Sequence, residues 1–357
     1  MHDVRNSSDQ IPEYLIGRGY IRHTPALSTT WRRLQEEVPD SLHPEVAECC
    51  FVLLKPDVLA SRKEEMIWER LLAAGMRPLV AWVCLHSSVR EFEELYKFNL
   101  TLNNDQCMLS SWWLHNLPYQ MGPVICLLIR VPKKVRGETT ACDFIAQLKG
   151  PSNPFLATSG HWRHDIVSTN MALNLIHTSD DPISSVREFR IFGTPELLRR
   201  ALERSRKSTT DPASEEGIVE AVQAEFRAAA DLAGYPHHDL DLVSTLIRIK
   251  LRLAQTIDSG DWISDDLATE YRNLLRAGGA ARARWHSYRS LCDVEQQRYR
   301  KRSSPVILSE LATTTGYRPE LADLLAAEML KHRLPYSDWE RVVLETTFFF
   351  HAHLPSD

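Results

Sequence analysis

The chain has 357 residues, 43% of them hydrophobic and 25% charged, with a formal net charge of −5. This length exceeds a usual single domain, and the composition is that of an ordinary globular protein. A mild negative charge supplies no overall field for nucleic acid or an anionic membrane, and no apolar run approaches the roughly 20 residues that span a bilayer. Residues 1–10 are polar and carry Asp3 and Asp9, unlike a secretory signal, so the expected compartment is the cytoplasm. The seven cysteines, Cys49, Cys50, Cys84, Cys107, Cys126, Cys142 and Cys292, form no C-x-x-C pair. Several lie inside apolar runs, which points to buried reduced thiols instead of disulfides or zinc ligands.

Along the chain, residues 1–46 form a leader rich in Ser, Pro and charge, with a short helix expected at 31–37. Residues 49–54 are an unbroken apolar run, the pattern of a strand buried on both faces. Helical spacing follows over 63–74, with Gly75 as the stop. Strands are expected at 78–85 and 123–131, and helices at 87–96, 106–117 and 138–148. Residues 149–160 hold Pro, Ser, Asn and Gly and read as a loop. A short helix at 183–188 and a short strand at 189–192 complete the series. The order β-α-β-α-α-β-α-α-β predicts an α+β fold with a ferredoxin-like βαββαβ core, its helices packed on one face of an antiparallel sheet. The segment 204–214 interrupts the pattern with Arg, Lys, Ser, Thr, Asp and Pro, and a boundary is expected there. The expected units are therefore a leader at 1–46, a first domain at 47–205 and an all-α domain at 210–357.

One constellation carries chemistry. Asn174-Leu-Ile-His177-Thr-Ser179-Asp180 places an imidazole among small polar residues, with Glu188 following. A histidine becomes a nucleophile when an acceptor fixes one ring nitrogen and the other stays free. Lys55, at the end of the first strand, is placed to meet phosphate oxygens. Arg163 offers a planar fork for phosphate, and Thr139 and Asn174 offer hydrogen bonds to a phosphate and a sugar hydroxyl. Taken singly, each has a plainer reading. His177 would be a satisfied core or loop histidine, Lys55 a surface lysine, Glu188 a solvated carboxylate and Arg163 an ion-pair partner. The weight lies in the ordered set.

That set resembles the nucleoside diphosphate kinase family over residues 48–200. Phe51-Val-Leu-Leu-Lys55-Pro56-Asp57 is similar to the family's opening strand with its K-P-D. Gly122-Pro123-Val124 matches a later G-P-V, and Gly137-Glu138-Thr139 matches G-E-T. Arg163-His164-Asp165 keeps the outer positions of R-G-D. The stretch from Asn174 to Asp180 is similar to N-I-I-H-G-S-D, and Glu188 lies where the family keeps its histidine-orienting glutamate. The resemblance implies a ping-pong phosphotransferase. His177 would take the γ-phosphoryl group of a nucleoside triphosphate such as ATP and pass it to a nucleoside diphosphate or a related phosphorylated acceptor. It implies catalytic roles for His177, Glu188, Lys55 and Tyr96, and nucleotide contacts from Lys55, Lys133, Thr139, Arg163 and Asn174. Mg²⁺ would be held mainly by the phosphates, with no dedicated protein metal site. The family's habits also imply a homo-oligomer.

There are departures from the family pattern. Residues 100–113 contain neither the arginine nor the base-stacking phenylalanine expected after the tyrosine, although Trp112 and Trp113 are nearby. The stretch between Thr139 and Arg163 is about twice the family's length, and Thr178 replaces a glycine. The alternative function is a nucleotide-binding module without turnover, whose helical domain binds a partner. His161-x-x-His164-Asp165 has the look of a metal pair, but no cysteine completes a ligand set. The basic helix at 282–302 carries aromatics and residues 309–317 faintly resemble a helix-turn-helix opening. The better reading of that helix is a solvated face, not a nucleic-acid reader.

Overall fold

The unbroken apolar run Cys49–Leu54 (β1) forms the middle of a four-stranded sheet in the computed structural model, which describes residues 11–16, 25–101, 112–256, 263–277, 281–299 and 319–350. Its neighbours are Val124–Arg130 (β3) and Ile176–Thr178 (β4), and Arg77–Cys84 (β2) closes the order β2-β3-β1-β4. All three pairings are antiparallel, as a ferredoxin-like core requires.

The helices in chain order are Pro25–Glu37 (α1), Glu64–Ala73 (α2), Val89–Thr101 (α3), Trp112–Gln120 (α4), Ala141–Lys149 (α5), Pro182–Phe192 (α6) and Pro195–Thr210 (α7). Glu215–Ala233 (α8), Leu242–Thr256 (α9), Asp265–Arg276 (α10), Ala281–Tyr299 (α11), Pro319–Lys331 (α12) and Asp338–Phe350 (α13) follow. Short helical turns, among them Pro56–Ala60 and Trp162–Asp165, fill the connections.

Helices cover both faces of the sheet, not the single face expected. Alternation along β1 explains why the run is apolar throughout. Cys49, Phe51 and Leu53 enter a core shared with Trp31, Leu34, Phe92, Val186, Phe189 and Leu202. Cys50, Val52 and Leu54 enter a second core with Trp68, Leu71, Ile145, Val222 and Phe226. The described cysteines are free thiols, all buried except the half-buried Cys84.

Two further expectations need correction. Residues 189–192 are not a strand. Asp181 caps α6 by accepting from Ser184 N at 2.7 Å, Pro182 opens it, and it runs on to Phe192. Ile183, Val186 and Phe189 are buried at helical spacing. The fourth strand is Ile176–Thr178, too short for any periodicity to show. Nor does the segment 204–214 break the chain where its composition suggests: α7 continues through Thr210, and only Pro212–Ser214 interrupts the helices.

Helix α8 packs on the sheet, although it lies beyond the expected boundary. Phe226 stacks on Trp68 with centroids 4.7 Å apart, both fully buried. Glu225 accepts from the backbone N of Ala81 on β2 at 3.2 Å and from Arg204 Nη2 at 2.9 Å. Packing of the first unit therefore extends to about residue 233.

The remaining helices build a third core from Leu246, Ile249, Leu253, Tyr271, Trp285, Tyr288, Cys292, Trp339 and Val343, and it includes Ala60 and Leu173 from the sheet unit. Trp285, Tyr288 and Cys292 of α11 are thus core. Lys250, buried within this core, donates to Glu295 Oε2 at 2.7 Å and Tyr271 OH at 3.1 Å, so its charge is compensated. At the seam a Cβ on Gly122 would lie 2.6 Å from the Tyr235 ring, so only glycine fits there. The residues named at 1–10, 102–111, 300–302 and 309–317 lie outside the described residues.

Truncating Phe226 to alanine should remove the stacked pair and leave a cavity between α8 and the sheet. The expected loss is about 3–5 kcal/mol, read as a lower midpoint in guanidinium unfolding. A loss within the range of a surface substitution would show that α8 is not part of the first core.

Candidate active site

The pairing of β1 with β4 sets Leu53 directly opposite His177, so the imidazole shares the face of the sheet that Leu53 buries. Helix α6 lies over that face and brings Glu188 to the ring. His177 Nε2 donates to Glu188 Oε2 at 2.8 Å. The same carboxylate accepts from Ser179 Oγ at 2.6 Å and from Arg187 Nη2 at 3.0 Å. Burial alone would push the Glu188 carboxyl up; His177, Arg187 and Ser179 outweigh it and hold the group below its ordinary value. An ionised acceptor on Nε2 fixes the tautomer, leaving the Nδ1 lone pair with no hydrogen-bond partner among the described residues. The ring lines an open cleft.

Lys55 sits where β1 must end. Pro56 opens a helical turn and forces the residue before it into extended backbone, so the side chain turns out of the sheet at the cleft. Its Nζ donates to Asn174 Oδ1 at 3.0 Å and to the Ala172 carbonyl. Burial lowers the Lys55 pKa to about 8. Arg163 also lines the cleft, but three of its donors are engaged. Nε reaches the Asn174 carbonyl at 3.2 Å, Nη1 the Gly150 carbonyl at 2.8 Å and Nη2 the Ile176 carbonyl at 3.1 Å. One hydrogen on each terminal nitrogen is left for an anion. Arg163 therefore braces the site as well as charging it. Asn174 is held on both amide atoms, its Nδ2 donating to the Ser152 carbonyl at 3.2 Å.

The opposite wall is aromatic. The Tyr96 ring meets His177 edge to face at 5.3 Å, and its hydroxyl shares a 2.8 Å hydrogen bond with Tyr119. Burial pushes both phenols above their ordinary range. Phe92 and His115 complete the wall.

His177, Glu188, Lys55, Tyr96, Arg163 and Asn174 are thus brought together. Two expected nucleotide contacts are not. Thr139 Oγ1 donates to the Arg136 carbonyl at 2.8 Å, and Lys133 is exposed and paired with Glu138 at 3.1 Å; neither lines the cleft. Helix α5 follows directly after Thr139 and Thr140. Its last residue, Lys149, does line the cleft, donating to Thr178 Oγ1 at 2.7 Å. Burial, and then the nearby Arg163, lower its pKa to about 7. Gly150, at a φ of 81°, ends the helix and offers its carbonyl to Arg163. Trp112 packs on Phe92 and Trp113 is exposed, so neither lines the cleft.

Lys149, His115 and Tyr119 escaped the sequence reading. A lysine in the last turn before a glycine reads as an ordinary helix end. The i, i+4 spacing of His115 and Tyr119 was the available signal for that face of α4. For Mg²⁺ the donor set suits an ion carried by phosphates. Asp180 is a cleft-lining carboxylate with no hydrogen-bond partner among the described residues, whereas Glu188 is fully engaged. Asp180 would face such an ion from the rim.

Residues 48–197 match the family model described as nucleoside diphosphate kinase. That segment is a domain of the nucleoside diphosphate kinase family, fused to a helical region. Similar solved structures include the apo nucleoside diphosphate kinase of Encephalitozoon cuniculi, with 20% identity over 41% of this chain and 88% of that one, at a TM-score of 0.32. The Aquifex aeolicus enzyme has 17% identity over 41% and 95%, at 0.34. An NDP kinase from Pyrobaculum aerophilum has 21% identity over 42% and 98%, at 0.34. No curated protein matches the chain.

Anion binding favours a protonated lysine, so the contribution of Lys149 should be greatest below its pKa of about 7 and fade as pH rises past it. In a His177→Ala background, Lys149→Met should weaken Mg·ATP binding about tenfold at about pH 6 and much less at about pH 9. Titration calorimetry of the two proteins at both pH values checks this, and a pH-independent ratio would remove Lys149 from phosphate binding.

Proposed function

We propose that residues 48–197 act as a nucleoside diphosphate kinase-like phosphotransferase that works through phospho-His177. The observation that carries this reading is the state of that ring. Nε2 is held by a buried, ionised Glu188, Nδ1 has no hydrogen-bond partner among the described residues, and the ring lines a cleft together with Lys55, Lys149 and Arg163.

In the forward half-reaction the Nδ1 lone pair attacks the γ-phosphorus of a nucleoside triphosphate. A bond forms between nitrogen and phosphorus. The bond from phosphorus to the β–γ bridging oxygen breaks, and the nucleoside diphosphate leaves with that electron pair. The ring gains positive character, which Glu188 offsets through the Nε2 hydrogen bond. Lys55, Lys149 and the two spare Arg163 hydrogens stabilise charge on the transferring group and the leaving oxygen. Bound Mg²⁺ would supply further charge neutralisation on the phosphates, with Asp180 facing it. In the second half-reaction a terminal phosphate oxygen of the acceptor attacks phospho-His177 and restores the ring. The acceptor is a nucleoside diphosphate or a related phosphorylated small molecule. Tyr96 holds the imidazole plane, and Asn174 is placed for a ribose hydroxyl.

A second reading also has an observation behind it. Thr139 and Lys133 point away from the cleft, as they would in a domain that binds nucleotide without turning it over.

Incubation with γ-labelled ATP and Mg²⁺ separates the two. The first reading expects an acid-labile, alkali-stable phosphoprotein that disappears in His177→Ala and discharges onto a nucleoside diphosphate. Glu188→Gln should slow labelling by about 10- to 100-fold, the worth of one charge-assisted hydrogen bond. ATP binding without label in the wild type would select the binding module.

A further inference from the structure

The loop that holds Lys55 is itself held from behind by the helical region. It runs from Val167 to Leu175, and both end residues have left-handed backbone, with φ values of 60° and 72°. A β-branched residue is rarely found there, so the loop needs external support to keep its shape.

Asn170 supplies the link. The side chain is 2% exposed and all its hydrogen-bonding capacity is used. Inside the loop, Oδ1 accepts from the backbone N of Ala172 and of Leu173, both at 3.0 Å. Outward, Nδ2 donates to Thr346 Oγ1 at 2.8 Å and Thr347 Oγ1 at 3.3 Å on the final helix α13. The carbonyl of Ala172, fixed by this staple, is the one that accepts from Lys55 Nζ. Thr169 Oγ1 also reaches the Leu240 carbonyl at 2.8 Å, and Leu173 is buried in the helical core. Across the cleft, Phe350 of the same helix packs on His115 with centroids 5.2 Å apart. One helix thus touches the backs of both walls.

We propose that Asn170 is a positioning residue through which α13 sets Lys55, so that the helical region is part of the phosphate-binding apparatus and not an appended partner module. This rests on the phosphotransfer reading for its catalytic consequence, but the mechanical link stands apart from it. Lys55 is seated by the Ala172 carbonyl and by Asn174 Oδ1; the Ala172 peptide is held by the Asn170 carboxamide, and the carboxamide by two hydroxyls of α13.

The full-length protein tests this with Asn170→Ala, with the double variant Thr346→Val and Thr347→Val, and with the hydroxyl-retaining pair Thr346→Ser and Thr347→Ser. Hydrogen exchange of residues 168–176 is the first readout. It should accelerate about tenfold in the alanine and valine variants and stay within about twofold in the serine pair. Labelling by γ-labelled ATP is the second. The half-saturating ATP concentration should rise about tenfold in the valine pair, with the serine pair matching wild type. Unchanged exchange in both disrupting variants overturns the proposal, whatever the protein does with ATP. Accelerated exchange with unchanged half-saturation also overturns it, since the loop would then not govern Lys55. A wild type that exchanges as expected but takes no label removes the phosphotransfer reading instead, and the same half-saturation comparison is then made on ATP binding by calorimetry.

Discussion

The pairing of β1 with β4 is the constraint from which the site follows. It sets Leu53 against His177 and the backbone N of Lys55 against the Leu175 carbonyl at 3.0 Å. Two groups far apart in sequence thereby share one end of the sheet. A slip of one residue in a strand pair turns every side chain to the opposite face, and the imidazole would then leave Glu188. Register is secured by what β1 buries on each side. Phe51 and Leu53 belong to one core and Val52 and Leu54 to the other, so each face of β1 packs against its own set of partners. The position of the His177 ring is therefore inherited from the hydrophobic packing of its neighbours.

Gathering Lys55, Lys149 and Arg163 around one cleft costs stability in the absence of an anion. Burial lowers all three, Arg163 to about 10. The fold offsets this with carbonyl and amide acceptors: Ala172, Asn174, Gly150 and Ile176. These partners are neutral, so the site keeps its positive charge. An ion pair on each cation would have stabilised the fold and neutralised the cleft. Of the two carboxylates lining the cleft, Glu188 is paired with His177 and Arg187, and Asp180 has no hydrogen-bond partner among the described residues.

Much of this was legible in the amino-acid order. The strands β1, β2 and β3 were marked by apolar runs, and the core of the site by the stretch from Asn174 to Asp180 with Glu188 beyond. What escaped was tertiary in origin. A three-residue strand such as Ile176–Thr178 has no period to detect, and Phe189 and Ile191 on either side of Arg190 resemble alternation although they lie on a helix. Helix α8 reads as amphipathic from either side of a boundary, and only tertiary contacts, the Trp68–Phe226 stack and the Glu225 bond to Ala81 among them, assign it to the sheet. That Lys149 and not Lys133 lines the cleft is a matter of tertiary placement, which local pattern does not encode. Arg163 was found, but its work as a brace for three carbonyls comes from the loop geometry around it.

Helix α8 has one more effect. Strand β2 is the outer strand of the sheet, and exposed outer strands are templates on which a second chain can add. Here Glu225 occupies the amide of Ala81 and the helix lies along the strand. The Ala81 amide on this border is thereby withdrawn from pairing with another strand.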